Sequence, residues 1–314
     1  MESIGSPMLW AGFTAFVVAM LALDLGVFHR KAHEVEFKEA LTWSVVWVAL
    51  ALLFNLGVWQ WYGPTKGLEF LTGYLIEKAL SVDNIFVFLV IFTYFAVPVQ
   101  SRHRVLFWGV LGALVFRALF LVGGVVLIER FHWVVYLLAL ILIVTGVKLF
   151  FAGADDDIEP EKNLVLRLAR RFLPVTERYE GKRVFVVREG RRYATPLFLT
   201  LLVVETTDIL FAVDSVPAAL GISQDTFVLY TSNVMAIMGL RSLFFAVAGM
   251  LKYLHYLKFG LALILCFVGV KMVLPEQHRL PVTAALGVVG GILLVAVIAS
   301  IVRARSVKEG EPKA

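Results

Sequence analysis

Nine stretches of this chain are apolar for long enough to cross a bilayer: 8–28, 41–62, 68–95, 105–128, 133–152, 196–220, 227–251, 259–274 and 281–302. A spanning helix needs about 20 such residues. Of the 314 residues, 60% are hydrophobic and 17% charged, against about 25% charged in soluble domains. A soluble reading would require nine unusually long, nearly uncharged helices. The expectation is an all-α polytopic membrane protein of about nine transmembrane helices. The first run has no basic residue before it and exceeds a signal-peptide core, so it is expected to stay as an uncleaved helix. Cys266 is the only cysteine. An intrachain disulfide and a thiolate metal cage are both excluded.

Lysine and arginine alternate by side. Arg30, Lys31 and Lys38 follow the first run, and Arg102 and Arg104 follow the third. Ten basic residues fall in 153–195, Lys252 and Lys258 follow the seventh run, and Arg303, Arg305, Lys308 and Lys313 lie in the tail. The opposite side has only Lys66, Arg130 and Arg279. Positive loops stay cytoplasmic, which puts the N-terminus outside and the C-terminus inside. The net charge of +5 is then accounted for by loops facing anionic lipid, with no nucleic acid implied. Segment 153–195 opens on Asp155, Asp156 and Asp157, continues as the basic amphipathic LVLRLARRFLPV, and reads as a hairpin turning at Glu189 and Gly190. It is either a connector lying on the membrane surface or a docking site for protein partners.

Charges also stand inside the spans: Asp24, Glu77, Lys78, Asp83, Arg117, Lys148, Glu205, Asp208, Asp214, Arg241 and Lys271. Each costs about 2.5–3.5 kcal/mol at a bilayer centre on insertion scales. Asp24, Lys148 and Lys271 are near span ends and can snorkel to water. Arg117 and Arg241 are near the middle and cannot. Intramembrane ionisable groups are functional candidates by default; the bland alternative is that they pair only to lock helices together.

These charges repeat. Glu77-x5-Asp83-Asn84-Ile85 matches Asp208-x5-Asp214-Ser215-Val216, FRALF with Arg117 matches LRSLF with Arg241, and TGVKLF with Lys148 matches VGVKMV with Lys271. Each copy holds three spans, an odd number, so the copies enter the membrane from opposite sides. Inverted-topology repeats are the architecture of many secondary transporters, with the substrate near the midplane where the copies meet. The expected organisation is two N-terminal helices over 1–66, a first copy over 67–152, the connector 153–195, a second copy over 196–275, and a last helix and tail over 276–314.

At about 100° per residue, Glu77 shares a helix face with Asn84, and Asp208 with Ser215. Asp83 and Asp214 point about 120° away, and Glu205 lies roughly opposite Asp214. Either the helices unwind near Asp83 and Asp214, or the groups serve successive stations. Pro217 favours unwinding in the sixth span, and Gly73 permits it in the third.

The candidate ligands are oxygens: the carboxylates with Asn84, Thr206, Thr207, Ser215 and Asn233. The six histidines fall in loops or at span ends. Carboxylate and carbonyl oxygens suit magnesium, calcium and manganese, whereas zinc and copper favour imidazole and thiolate. Arg117 and Arg241, with Lys78, are candidate counter-charges. No enzyme is expected: an intramembrane protease dyad of the YD and GxGD type is absent from the sequence, as is a Ser or Cys nucleophile beside a histidine in the spans.

DLGVFHRKAHEVEFKEAL, EKALSVDNIFVF, RRFLPVTERYEGKRVF, RRYATPLFLTLLVVETTDILFAVDSVPA, TSNVMAIMGLRSLFF and GVKM resemble the TerC family of bacterial integral membrane proteins over roughly residues 20–275. The family is named for tellurium resistance, and its Alx-type members are associated with manganese export across the inner membrane. The resemblance implies that Glu77, Asp83, Asn84, Glu205, Asp208 and Asp214 form a metal path, and the expected substrate is manganese(II) or a similar hard divalent cation, with no tightly bound cofactor. Protons are the expected counter-ion. The rival expectation is an accessory membrane protein that scaffolds stress or secretion machinery through 153–195.

Overall fold

The computed structural model describes residues 3–29, 37–131, 133–151, 164–181, 183–188, 190–248, 256–275 and 280–310; side chains at 24–29, 83, 86, 164, 213, 214, 248 and 304–310 lie outside the description. Among the described residues, eleven helices and one hairpin are formed: α1 (Pro7–His29), α2 (Phe37–Tyr62), α3 (Pro64–Tyr94), α4 (Val99–Arg130), α5 (Val134–Phe151), α6 (Leu164–Phe172), β1 (Phe185–Arg188), β2 (Arg191–Ala194), α7 (Pro196–Leu220), α8 (Thr226–Met238), α9 (Leu240–Ala248), α10 (Leu257–Val273) and α11 (Val282–Gly310). This is an all-α membrane protein. Helices occupy every expected segment, the seventh as the pair α8 and α9, bent by 42° at Gly239. Length and apolarity alone single out five spans (α2, α4, α5, α7 and the 22 residues from Val282), or six with the bent pair. The rest differ in kind: α3 carries Lys66, Glu69, Glu77, Lys78 and Asp83, and α10 has 17 residues.

Local chemistry sets the boundaries. Proline opens α3 and α7, where a missing amide hydrogen costs nothing. Asp225 caps α8, its side chain accepting from the amides of Phe227 (3.0 Å) and Val228 (3.3 Å). The hairpin pairs antiparallel, Phe185 opposite Ala194; Glu189 of its expected turn and Asp155, Asp156 and Asp157 lie outside the described residues.

α3 packs on α7, α8 and α2, α4 on α7 and α8, and α5 on α10. Gly146 of α5 and Gly269 of α10 make that last approach possible: a Cβ at Gly146 would strike Cys266 and Ala262, and one at Gly269 would strike Ile143 and Ala139. The connector sits at one end of the bundle. There Tyr179 donates to the Phe95 carbonyl at 2.7 Å, just past the end of α3. At the opposite end, where α3 begins and α7 finishes, Lys66 pairs with Glu69 (3.1 Å) and Asp225 (3.3 Å).

Two expectations are corrected. α3 and α7 run unbroken through positions 83 and 214, with no unwinding. Pro217 stands three residues before the end of α7, so it removes one bond from a final turn that Gly221 closes by donating to the Pro217 carbonyl at 2.9 Å. Lys271 does not snorkel. It is buried and donates to the Gly221 carbonyl at 3.2 Å, a cation at a helix C-terminus. Lys148, by contrast, is exposed.

Candidate functional site

α3 and α7 cross the bundle interior with polar faces that their apolar surroundings isolate. On α3, Tyr74, Glu77, Ser81 and Asn84 follow a spacing of three and four, which stacks them on one helix face. All four are buried, Glu77 to 2% exposure. On α7, Asp208 is 6% exposed and Ser215 1%.

Arg117 of α4 reaches this level. Its Nη1 forms an ion pair with Glu77 Oε2 and donates to Asn233 Oδ1 of α8 at 3.0 Å. Asn233 is oriented in turn by its own Nδ2 donating to the Leu229 carbonyl at 3.0 Å. Three helices are thus tied by one guanidinium. A buried charge pair survives only when its remaining hydrogen-bonding positions are satisfied. That condition holds on one oxygen of Glu77 only: Oε1 has no hydrogen-bond partner among the described residues.

The same is true of four more buried oxygens, Asp208 Oδ2, Glu205 Oε2, Ser81 Oγ and Ser215 Oγ, and of the Tyr74 hydroxyl. Leaving such a group unpaired costs about 1–3 kcal/mol, more when charged. Asp208 lies within electrostatic reach of Arg117, Glu205 and Glu77, so three acids and one arginine share a field. The glutamate at 205 is displaced from the others: its carboxylate lies against Gly112 of α4 and lines a cavity of about 480 Å³. Among the described residues, no three His, Cys, Asp or Glu side chains converge closely enough to hold a metal ion. Glu77 is held by Arg117, and Glu205 faces the cavity.

The remaining expected residues distribute as follows. Asn84 is buried on the Glu77 face. Lys78 Nζ donates to the Ala236 carbonyl at 3.1 Å, in the last turn of α8 beside the bend, again a cation at a helix C-terminus. Arg241 is buried at the start of α9, directly after the bend. Asp83 and Asp214 sit within α3 and α7, and Asp24 within α1, with side chains outside the description. Sequence reasoning overlooked Tyr74, Ser81 and Gly112. The first two were readable from their spacing to Glu77. Gly112 follows Gly109 by three residues ahead of an intramembrane arginine, a small-residue face that permits close helix approach.

Residues 62–308 match the model of the integral membrane protein TerC family. An uncharacterized membrane protein of Myxococcus xanthus is 54% identical over 303 residues, covering 96% of this chain and 95% of that protein. The Escherichia coli (strain K12) protein that carries the name of a membrane-bound redox modulator, Alx, is 44% identical over 307 residues, with 95% of each chain covered. An uncharacterized membrane protein of Rickettsia bellii is 40% identical over 296 residues, 94% of this chain and 98% of that one. No solved structure matches the chain.

Proposed function

Because the chain belongs to the TerC family of integral membrane proteins, we propose that it is a carrier exporting a hard divalent cation, manganese(II) foremost, in exchange for protons. The observation that carries this reading is a set of buried oxygens without hydrogen-bond partners among the described residues, Glu77 Oε1 beside Arg117 with Asp208 Oδ2, Glu205 Oε2 and Ser215 Oγ along α7. Anionic and neutral oxygens of this kind are what a hard cation seeks once it sheds water.

The geometry suggests how the cycle works. Arg117 neutralises Glu77. A divalent cation reaching Asp208 competes with that guanidinium for the shared field. It can recruit Glu77 only by displacing Arg117 toward Asn233, the partner already in place. Carboxylates that carry protons in the empty protein must release them to bind, which couples cation to proton movement. Since α3 and α7 are continuous, the groups act as successive stations rather than as one cage.

We read the motif correspondence between the two halves as an inverted repeat, an architecture that would allow alternating access by rocking of one copy against the other. In its favour, α3 packs on α8 while α7 packs on α4, and the equivalent glycines Gly146 and Gly269 each face the other's helix. We place the protein in the bacterial inner (plasma) membrane, with its N-terminus outside. The name carried by some relatives speaks of redox modulation. Thiol–disulfide chemistry within this chain lacks a second cysteine, since Cys266 stands alone.

Uptake of radioactive manganese into inverted vesicles under an imposed pH gradient tests the proposal. Uptake above that of vesicles lacking the protein is expected. None at any gradient would refute carriage.

A further inference from the structure

Arg303 closes the 22-residue apolar span of α11 that begins at Val282. At 1.5 Å per residue that span is about 33 Å long, close to the ~30 Å of a bilayer's hydrocarbon core, so Arg303 stands at the level of the lipid headgroups. We propose that Arg303, with Tyr256 and the apolar stripe below them on α11, forms a binding site for an anionic phospholipid of the phosphatidylglycerol or cardiolipin type. The site is independent of the transport reading, since it needs only that α11 crosses the membrane.

Two helices build the site. A groove of about 440 Å³ is lined by Tyr256, which directly precedes α10, and by Val295, Ile298, Ala299, Val302 and Arg303 of α11. The Tyr256 amide donates to Ser300 Oγ at 2.9 Å, and the buried Ser300 hydroxyl donates to the Ala296 carbonyl at 2.7 Å, which fixes the tyrosine against α11. One turn further along α10, a Cβ at Gly260 would come within 2.9 Å of Ala296 Cβ, so the helices touch here. Val295, Ile298 and Val302 follow one another at three and four residues, which sets them on one helix face. All three are exposed. The stripe runs about 12 Å down the span from Arg303, a surface on which one acyl chain can lie.

Charge selects the headgroup. Arg303 Nη1 donates to the Tyr256 hydroxyl at 3.3 Å, and the guanidinium lies 5.5 Å from the centre of that ring. The tyrosine thereby holds the arginine at the top of the stripe. A guanidinium carries five N–H donors in a planar fork that grips phosphate with paired bonds. Among the described residues, the lining has no Asp or Glu. A zwitterionic lipid brings an ammonium that meets no carboxylate there, whereas a lipid charged only at its phosphate leaves nothing unmatched. The distribution of basic residues assigns this end of α11 to the cytoplasm, the side on which basic pockets between transmembrane helices take anionic headgroups.

The test uses the full-length protein, stripped of lipid in detergent, and native mass spectrometry to read the dissociation constant of each added lipid. Phosphatidylglycerol should bind about tenfold more tightly than phosphatidylcholine of the same chains. Arg303→Gln should weaken phosphatidylglycerol by about the same factor, the loss of a charged hydrogen bond, and leave phosphatidylcholine unchanged. Arg130→Gln, at the other end of the bundle, should change neither. Ile298→Trp keeps the arginine but fills the groove, so it should weaken phosphatidylglycerol too, and it decides the matter if Arg303→Gln does not fold. The deacylated headgroup glycerophosphoglycerol should bind far more weakly than the lipid. Equal affinity for the two lipids, an equal loss with Arg130→Gln, or phosphatidylglycerol binding that Arg303→Gln and Ile298→Trp leave intact would indicate an ordinary lipid annulus and overturn the site. A headgroup that binds as tightly as the whole lipid overturns it as well, because the apolar stripe then contributes nothing.

Discussion

The carboxylate of Glu205 occupies the space that a side chain at Gly112 would fill. This contact couples α4 to α7 at the mouth of the acidic site. Gly112→Ala must push either the helix or the glutamate aside. The atoms met are the tip of a flexible side chain, so the glutamate gives way and the cost falls on its position rather than on stability. Manganese uptake normalised to the amount of protein in the membrane should fall about tenfold, a loss of about 1.4 kcal/mol at the site. Combining it with Glu205→Asp, which withdraws the carboxylate by one methylene, should recover part of the loss. A Gly112→Ala protein with unchanged uptake would remove Glu205 from the path.

Arg117 and Glu77 test the distinction between holding the bundle and carrying the ion. Arg117→Gln leaves a buried glutamate without its cation, a loss of about 3–5 kcal/mol for a broken buried pair. Thermal stability in detergent should drop accordingly. Arg117→Gln with Glu77→Gln should recover stability yet carry no manganese, since the double change removes a ligand. Recovery of both would make the pair purely structural.

The proposed repeat predicts that Asp83→Asn and Asp214→Asn lower uptake to a similar degree at normal expression, because each substitution keeps the side chain's shape and removes a charge that a hard cation would need. The two lysines at the repeat ends should behave differently from each other. Lys271 is buried and donates to the Gly221 carbonyl, whereas Lys148 is exposed. Lys271→Met should therefore lower the melting temperature more than Lys148→Met. Comparing expression, melting and uptake across the four variants separates site from scaffold.

At the opposite end of the bundle, Asp225 receives hydrogen bonds from the Ile4 amide (3.0 Å) and the Ser3 hydroxyl (2.9 Å), beside Lys66. Burial alone would raise its carboxyl, but those bonds, the lysine and the Val228 amide outweigh it and hold the group below its usual value of 3.8. A carboxyl depressed in the folded protein stabilises above its unfolded value, and that contribution is lost as pH falls through the folded one. The N-terminal strap should stay attached from neutral pH down to about 4 and detach only below that. Asp225→Asn should loosen it at every pH above 4. Protease cleavage near Ser3, followed against pH, reports both; release between pH 5 and 7 in the parent protein would contradict the assignment.

The sequence makes the helical segments and the charges inside them legible because both follow from one fact, the cost of polar groups in lipid. It also makes the reach of Arg117 to the acidic face foreseeable. It does not reveal which helix breaks. Pro217 pointed to α7, yet a proline in a final turn disturbs little, and the bend falls at Gly239, beside Trp47 and Lys78. Nor does it reveal the cavity beside Glu205, because that cavity joins a hairpin to residues on two helices distant in sequence. The polar column through Tyr74 and Ser81 was written in plain spacing and needed only to be counted.

In the proposed function, the buried oxygens around Asp208 receive a hard divalent cation. Binding of manganese to the purified protein, followed by loss of the solution electron paramagnetic resonance signal of hydrated manganese, tests it without any transport step. The protein should quench this signal at neutral pH, acidification should restore it, and Asp208→Asn, folded and expressed as the parent, should quench it far less. Equal quenching by the parent and by Asp208→Asn would contradict it.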